Sequence, residues 1–399
     1  MKSKYQSSKI DRLLKELDWD CSDHVHHRTS LNIIHWYPAS FITAIPGNII
    51  DIFSNEGDVI WDPFCGSGTS AVEAFRKGRH FYGSDISQIS ILISLSKIHL
   101  IKYRKLIEKE VVQLRNGIDQ IEFDLSFKVS LDDYISLGKS ICSYDELKPW
   151  YNEKTLNELL LLRGFLNRNV REKRMEPIFL TIFLHIAKLA CAQQKTWGHI
   201  ADNVLPDEDQ IRNREYRVIP NFLKRLLQVQ TQAEKVLVIS KMGRCNIKLA
   251  DARTYSPPKP ADLVVTSPPY PCMADYITSQ RLDYYWLGYT KEDIGAFKKN
   301  EIGARYLKNT KSANKSYIDN MTIALTNIIK AIKSKGILVL ILPDYSNDGS
   351  RKGIIDDLCS YLKSELSLLY QIRRKIDETQ RFLPFQSLKE ESLTIWSKK

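Results

Sequence analysis

At 399 residues, 43% of them hydrophobic, the chain is long enough for one large α/β domain with a second smaller one, which excludes a disordered or fibrous protein. A formal net charge of +11 suits a polyanionic partner, although it equally suits a merely basic soluble protein. Seven cysteines, at 21, 65, 142, 191, 245, 272 and 359, form no C-x-x-C pair, which argues against a disulfide scaffold or a zinc site and for a reducing cytoplasm.

In chain order, residues 1–30 are polar and read as an N-terminal arm. Its histidines, His24, His26 and His27, lack a carboxylate or cysteine partner at ligand spacing, so no metal is expected. The arm has no apolar core of a signal peptide, and no apolar run in the chain approaches the roughly 18 residues of a membrane span, so no membrane association is expected. A short helix is predicted from Pro46 to Phe53. The apolar run Val59-Ile60-Trp61 then enters a glycine turn followed by AVEAFRKG at helical spacing, and His80 to Gly83 makes a second strand: a βαβ start.

The alternation breaks after Asp85. Amphipathic helices are predicted at about 90–118, 153–168, 176–194 and 216–239, so residues 99–244 read as a helical insertion. Strands resume at Ile247–Leu249, Leu263–Val265 and Gly336–Leu342, followed by a helix near 353–365 and strands near 366–373 and 392–396. Residues 31–98 and 245–399 thus make one α/β domain, a mostly parallel sheet with helices on both faces and its ligand outside the carboxyl ends of the strands. Asp62, Asp85, Asp251 and Ser267 all follow predicted strands, as a shared binding edge requires.

Two constellations carry chemistry. In Asp62-Pro63-Phe64-Cys65-Gly66-Ser67-Gly68-Thr69 the glycines let backbone approach a ligand at a helix N-terminus, and the absence of a G-K-[ST] ending speaks against a nucleoside-triphosphate loop. Asp85, about 20 residues on, is placed to accept hydrogen bonds from ribose hydroxyls, or to cap the following helix. In Thr266-Ser267-Pro268-Pro269-Tyr270 two prolines stiffen the turn, fixing a hydroxyl, carbonyls and an aromatic plate that suit a planar base bearing an amino group. Taken singly, the first motif also reads as a bare βα turn and the second as a polyproline turn with a packed tyrosine.

Together, DPFCGSGT and TSPPY resemble the S-adenosylmethionine-dependent amino-methyltransferases of DNA, and the segments His35–Phe41, Asp275-Tyr276 and Arg281–Gly288 strengthen the likeness. The resemblance covers residues 31–98 and 245–399. It implies a Rossmann-like methyltransferase fold with an antiparallel C-terminal strand, and S-adenosyl-L-methionine as cofactor. It places Asp62, Gly66, Gly68 and Thr69 around the methionine part, Asp85 at the ribose, Asp251 and Ala252 at the adenine, and Phe41 as an apolar contact, with Phe64 and Ile86 also binding the cofactor. Ser267 and the Pro268 carbonyl would accept hydrogen bonds from the target amino group, and Pro269 and Tyr270 would complete the catalytic motif, with Tyr270 stacked on the base. The long insertion ahead of Asp251 departs from the usual layouts, which loosens the assignment of Asp251.

The implied activity is site-specific methylation of double-stranded DNA by base flipping and direct transfer, as the modification enzyme of a restriction-modification system with a separate cognate endonuclease. A serine at the head of the catalytic motif points to cytosine N4 over adenine N6. The covalent route of carbon-5 cytosine methylation is disfavoured because Pro271-Cys272 lies one step late. An RNA or transfer-RNA guanine-N2 methyltransferase, an inactive cofactor-retaining DNA-binding subunit and a nicotinamide oxidoreductase are the rivals. For DNA contact, Lys298, Lys299, Arg305, Lys308, Lys311 and Lys315 read as a polar phosphate-binding loop, with Phe297, Tyr306 and Tyr317 among them. The helical insertion, with Arg163, Arg168, Arg171, Lys173 and Arg174, reads as the target-recognition part, or as a solvated helix face. Trp197–Pro206 would line the cleft or simply end a helix.

Overall fold

A computed structural model describes residues 8–21, 31–38, 42–126, 131–193, 204–236, 238, 242–307, 312–344, 349–376 and 389–398. The strands are β1 (Val59–Asp62), β2 (His80–Asp85), β3 (Cys245–Leu249), β4 (Ala261–Thr266), β5 (Ile332–Asp344), β6 (Leu366–Lys375) and β7 (Glu390–Lys398). The helices are α1 (Ser8–Glu16), α2 (Ala44–Phe53), α3 (Thr69–Arg76), α4 (Gln88–Lys102), α5 (Arg104–Ser126), α6 (Asp132–Ser140), α7 (Tyr144–Leu147), α8 (Glu153–Asn169), α9 (Glu176–Ala190), α10 (Glu208–Asn213), α11 (Val218–Lys235), α12 (Tyr276–Ser279), α13 (Arg281–Trp286), α14 (Lys291–Lys298), α15 (Ala313–Ala331) and α16 (Gly349–Glu365).

Among the described residues seven strands form one sheet in the order β3-β2-β1-β4-β5-β7-β6. β1 pairs in parallel with β2 and β4, β2 with β3, and β4 with β5, while β7 runs antiparallel between β5 and β6. The chain therefore has the Rossmann-like methyltransferase topology expected of it, with the antiparallel strand last. Every predicted strand is present. The central ones are apolar on both faces because helices cover both sides. Ile337, Val339 and Ile341 of β5 enter a core shared with α2–α4, whereas Leu338, Leu340 and Leu342 meet α15 and α16 on the other face. This period-two alternation of a pleated strand fixes its register.

The insertion is helical, with no strand among the described residues between Asp85 and Cys245. Its helices bury Phe179, Phe183 and Phe222 in the same core as β1 and β5. Three expectations need correction. The predicted 90–118 helix is two helices, because the chain turns at Tyr103 before α5. The 298–315 loop is partly helical: Lys298 ends α14, Arg305 lies in a 3-10 turn and Lys315 in the first turn of α15. Within the polar arm, α1 buries Ile10 and Leu14, because its strongly amphipathic sequence turns one apolar stripe inward. It lies beside β6, where the Tyr370 hydroxyl donates to Asp11 at 2.7 Å.

Candidate active site

The carboxyl ends of β1, β2 and β4 and the turn after β3 open on one cavity, which both motifs share. In the first turn, Gly66 (φ +48°) and Gly68 (φ +76°) both adopt the left-handed conformation that glycine tolerates. The Asp85 carboxylate holds this turn by accepting from the Gly66 and Ser87 amides, each at 2.9 Å. Ser87, not Asp85, caps α4, its hydroxyl accepting from the Ser90 amide. Burial raises the Asp85 carboxyl above its usual range, against those hydrogen bonds.

Phe64, Gly66, Thr69, Asp85, Ile86, Asp251 and Ala252 line the cavity, as do Ser267, Pro269 and Tyr270. Asp62, Gly68 and Pro268 do not. Asp62 is buried beneath the floor, where its Oδ1 accepts from the Thr266 hydroxyl at 2.6 Å and the Phe64 amide at 3.1 Å. It thus joins the glycine turn to the residue preceding Ser267, and burial pushes its carboxyl up to about 6. Gly68 is occupied in starting α3 against Ser94, and Pro268 acts through the stiffness of its turn. Phe41, Lys308, Lys311 and the first part of Trp197–Pro206 lie outside the described residues.

Asp251 lines the cavity and is also paired within the protein. Its carboxylate takes the Arg253 guanidinium at 3.0 and 2.5 Å and the Arg253 amide at 2.8 Å, and Arg253 reaches on to Asn320. Its oxygens are therefore already engaged.

The TSPPY turn is strapped from the far side by α15 and the 300–307 segment. The Tyr317 hydroxyl donates to the Pro269 carbonyl at 2.9 Å, and the Cys272 amide to the Gly303 carbonyl at 2.8 Å. Cys272 has φ +54°, uncommon for a non-glycine residue. Cys65 also lines the cavity, but burial holds its thiol well above the usual range, in keeping with a non-covalent role.

Tyr37, from the His35–Phe41 segment, lines the cavity too, and three further lining residues carry no local motif: Glu301, Arg374 and Glu391. Glu301 Oε1 accepts from the Ile277 amide at 3.0 Å, while Oε2 is buried without a hydrogen-bond partner among the described residues. Desolvation pushes this carboxyl up to about 8. The Tyr270 hydroxyl donates to Glu391 Oε1 at 2.7 Å, and Arg374 Nε lies 3.4 Å from Glu391 Oε2. Glu391 and Arg374 are paired in register on adjacent strands, which no local sequence pattern reveals.

The donor set fits S-adenosylmethionine. Thr69 Oγ1 and Glu301 Oε2 are buried polar atoms on residues of the cavity wall, without hydrogen-bond partners among the described residues, and a Cβ at Gly66 would stand 3.1 Å from the Tyr37 ring, closing the space over the turn.

Outside the cavity, Lys299, Arg305 and Lys315 are exposed, and Lys298 lies 5.0 Å over the Tyr306 ring. In the insertion, Arg168, Arg171 and Lys173 are exposed, whereas Arg174 pairs with Glu172 at 2.7 Å and Arg163 is half-buried. No helix among the described residues is long and apolar enough to cross a membrane.

Residues 2–94 match the N6/N4 family model described as DNA methylase. The Type II methyltransferase M.MvaI of Kocuria varians is 25% identical over 323 residues, 72% of this chain and 66% of that protein. The Type II methyltransferase M.MjaII of Methanocaldococcus jannaschii is 22% identical over 467 aligned positions, 93% of this chain and 82% of that one. The Orphan methyltransferase M.BamHII of Bacillus amyloliquefaciens is 39% identical over 64 residues, 16% of this chain and 24% of that one. Both motifs thus stand on one cavity at the end of this sheet, the family model described as DNA methylase matches the segment that holds the glycine turn, and the chain is similar to Type II methyltransferases.

Proposed function

We propose that the protein methylates the N4 amino group of cytosine in double-stranded DNA, as the modification enzyme of a cytoplasmic restriction-modification system with a separate cognate endonuclease. The observation that carries this reading is the placement of Ser267 and Tyr270 on the same cavity as Asp85 and the glycine turn. S-adenosylmethionine supplies a methyl group already activated on a sulfonium. The work of the protein is then orientation and exclusion of water. Phe64, Gly66, Thr69, Asp85 and Ile86 hold the cofactor, with Asp62 and Gly68 shaping the turn from beneath and Ala252 at the adenine. Asp251 contributes through its pairing with Arg253.

A cytosine amino nitrogen is a weak nucleophile because its lone pair is conjugated with the ring. Ser267 Oγ accepts a hydrogen bond from that group and returns electron density to nitrogen, while the Tyr270 ring supports the base. Pro268 and Pro269 keep both at a fixed spacing. Because the amino group of a duplex is stacked away, the base leaves the helix to reach this pocket. Lys298, Lys299, Arg305 and Lys315, with Lys308 and Lys311 in the same segment, grip phosphates beside the pocket, and the helical insertion reads the neighbouring bases.

The test is incubation with labelled S-adenosylmethionine and unmethylated genomic DNA, then digestion and mass spectrometry of the nucleosides, with Tyr270→Ala as control. N4-methylcytosine that disappears in the control is the expected result. N6-methyladenine would overturn the reading of Ser267, and label found only in RNA would overturn the DNA substrate.

A further inference from the structure

We propose that Glu391 is the terminal acceptor of the proton that the target amino group sheds on methylation, reached through Ser267 and Tyr270. The proposal presupposes the amino-methylation set out above. Three side chains from two distant parts of the chain form one line on the cavity wall: Ser267 Oγ donates to Tyr270 Oη at 3.3 Å, and Tyr270 Oη donates to Glu391 Oε1 at 2.7 Å. The direction of the line follows from its end. An ionised carboxylate only accepts, so Tyr270 must donate to it, and the tyrosine oxygen is then left to accept the Ser267 hydrogen. With its own hydrogen committed, Ser267 turns lone pairs to the substrate. The 3.3 Å step is long for an O–H···O bond, and such contacts tighten when substrate fills a site.

Methylation forms an N–CH3 bond at the expense of the sulfonium S–CH3 bond, and leaves the base nitrogen positively charged with one proton too many. That proton passes to Ser267 Oγ as the serine hydrogen passes to Tyr270 Oη and the tyrosine hydrogen to Glu391. The base, serine and tyrosine end neutral, and Glu391 ends as the carboxylic acid. No external oxidant, reductant or further reactant is needed.

The surroundings of Glu391 suit this role. Its side chain is only 16% exposed, and Arg374, 3% exposed, stands 3.4 Å from its other oxygen on the paired strand β6. The arginine keeps the carboxylate ionised before the transfer. Burial acts the other way and raises its proton affinity above the ordinary carboxyl range, so the proton is readily taken. From β5, Pro343 lies opposite Glu391 in register and brings no charge, and the next residue, Asp344, is engaged by Arg373 at 3.3 Å. Arg374 and Tyr270 are thus the groups that set its titration among the described residues.

The deciding variant is Glu391→Gln, which preserves shape and an acceptor for the tyrosine hydroxyl but takes no proton. Cofactor affinity and DNA affinity should stay close to those of the unmodified protein, while the melting temperature falls because buried Arg374 loses its charged partner but stays high enough for folded protein to be assayed. Single-turnover transfer to unmethylated genomic DNA should fall by about a hundredfold, near the lower end of what loss of a general base costs. Its acid limb in the pH-rate profile and its solvent isotope effect should disappear. Glu391→Asp should recover part of the rate, and Tyr270→Phe, which keeps the ring and cuts the line, should reproduce the loss. If Glu391→Gln and Tyr270→Phe both transfer at the unmodified rate with an unchanged pH profile, the relay is wrong while amino-methylation stands. If the unmodified protein labels no DNA, the amino-methylation itself is wrong and the relay falls with it.

Discussion

Glu301 couples acidity to stability at a single side chain. An ordinary glutamate carboxyl titrates near 4.5, and burial moves this one to about 8. Between those values the folded chain holds a proton that the unfolded chain has released. This group's contribution to stability is therefore full below about 4.5 and is lost as pH rises through about 8. Urea midpoints across that window should fall with rising pH, and Glu301→Gln should flatten the slope. Equal slopes in the two proteins would show that another group is responsible. Sequence made some of these residues visible and hid others for a physical reason. The glycine turn and TSPPY are local constellations whose chemistry is legible within eight residues. Glu301, Arg374 and Glu391 have no local pattern, since their meaning lies in partners such as Ile277 and Tyr270 that only folding brings near. Asp251 was legible from its position after a strand and lines the cavity, whereas its pairing with Arg253, two residues on, was not.

The turn from β1 into α3 shows how an element's geometry limits its sequence. At Gly68 a Cβ would stand 2.5 Å from Ser94 Oγ and 3.0 Å from Ser94 Cα, on α4, in addition to the left-handed backbone. At Gly57 the backbone is also left-handed, φ +84°, but nothing lies within 4 Å. Gly57→Ala should therefore cost the backbone term alone, about 1–2 kcal/mol. Gly68→Ala should cost more, with at least a tenfold loss of cofactor affinity as α3 and α4 are forced apart. Denaturation curves and calorimetric binding separate the two, and equal losses would remove the steric argument. The strands were legible because buried parallel strands write themselves as apolar runs, as in GILVLIL of β5. α15 was not, since its charged first turn extends the polar stretch before it, and the buried Met321, Leu325 and Ile328 come later. α6, α7 and α10 are short, at 9, 4 and 6 residues, too few for a helical period to stand out.

At the scale of the molecule, the charge of +11 becomes testable through salt. Lys299 and Lys315 are exposed, and each that meets a phosphate should add about 0.9 to the slope of log affinity against log salt. Fluorescence anisotropy with duplex DNA should give a shallower slope by about 1.8 for the Lys299→Ala, Lys315→Ala double variant. An unchanged slope would move phosphate contact to another face. The strand order carries a consequence for synthesis. β7 pairs with both β5 and β6 and separates them, and it follows both in the chain. The glycine turn, the TSPPY loop and the parallel half of the sheet can assemble on the nascent chain, but Glu391 joins Tyr270 only when translation has passed residue 391. A chain cut short before β7 lacks that link and leaves the facing edges of β5 and β6 unpaired, so aggregation and proteolysis fall on the unfinished product before the cavity wall is complete.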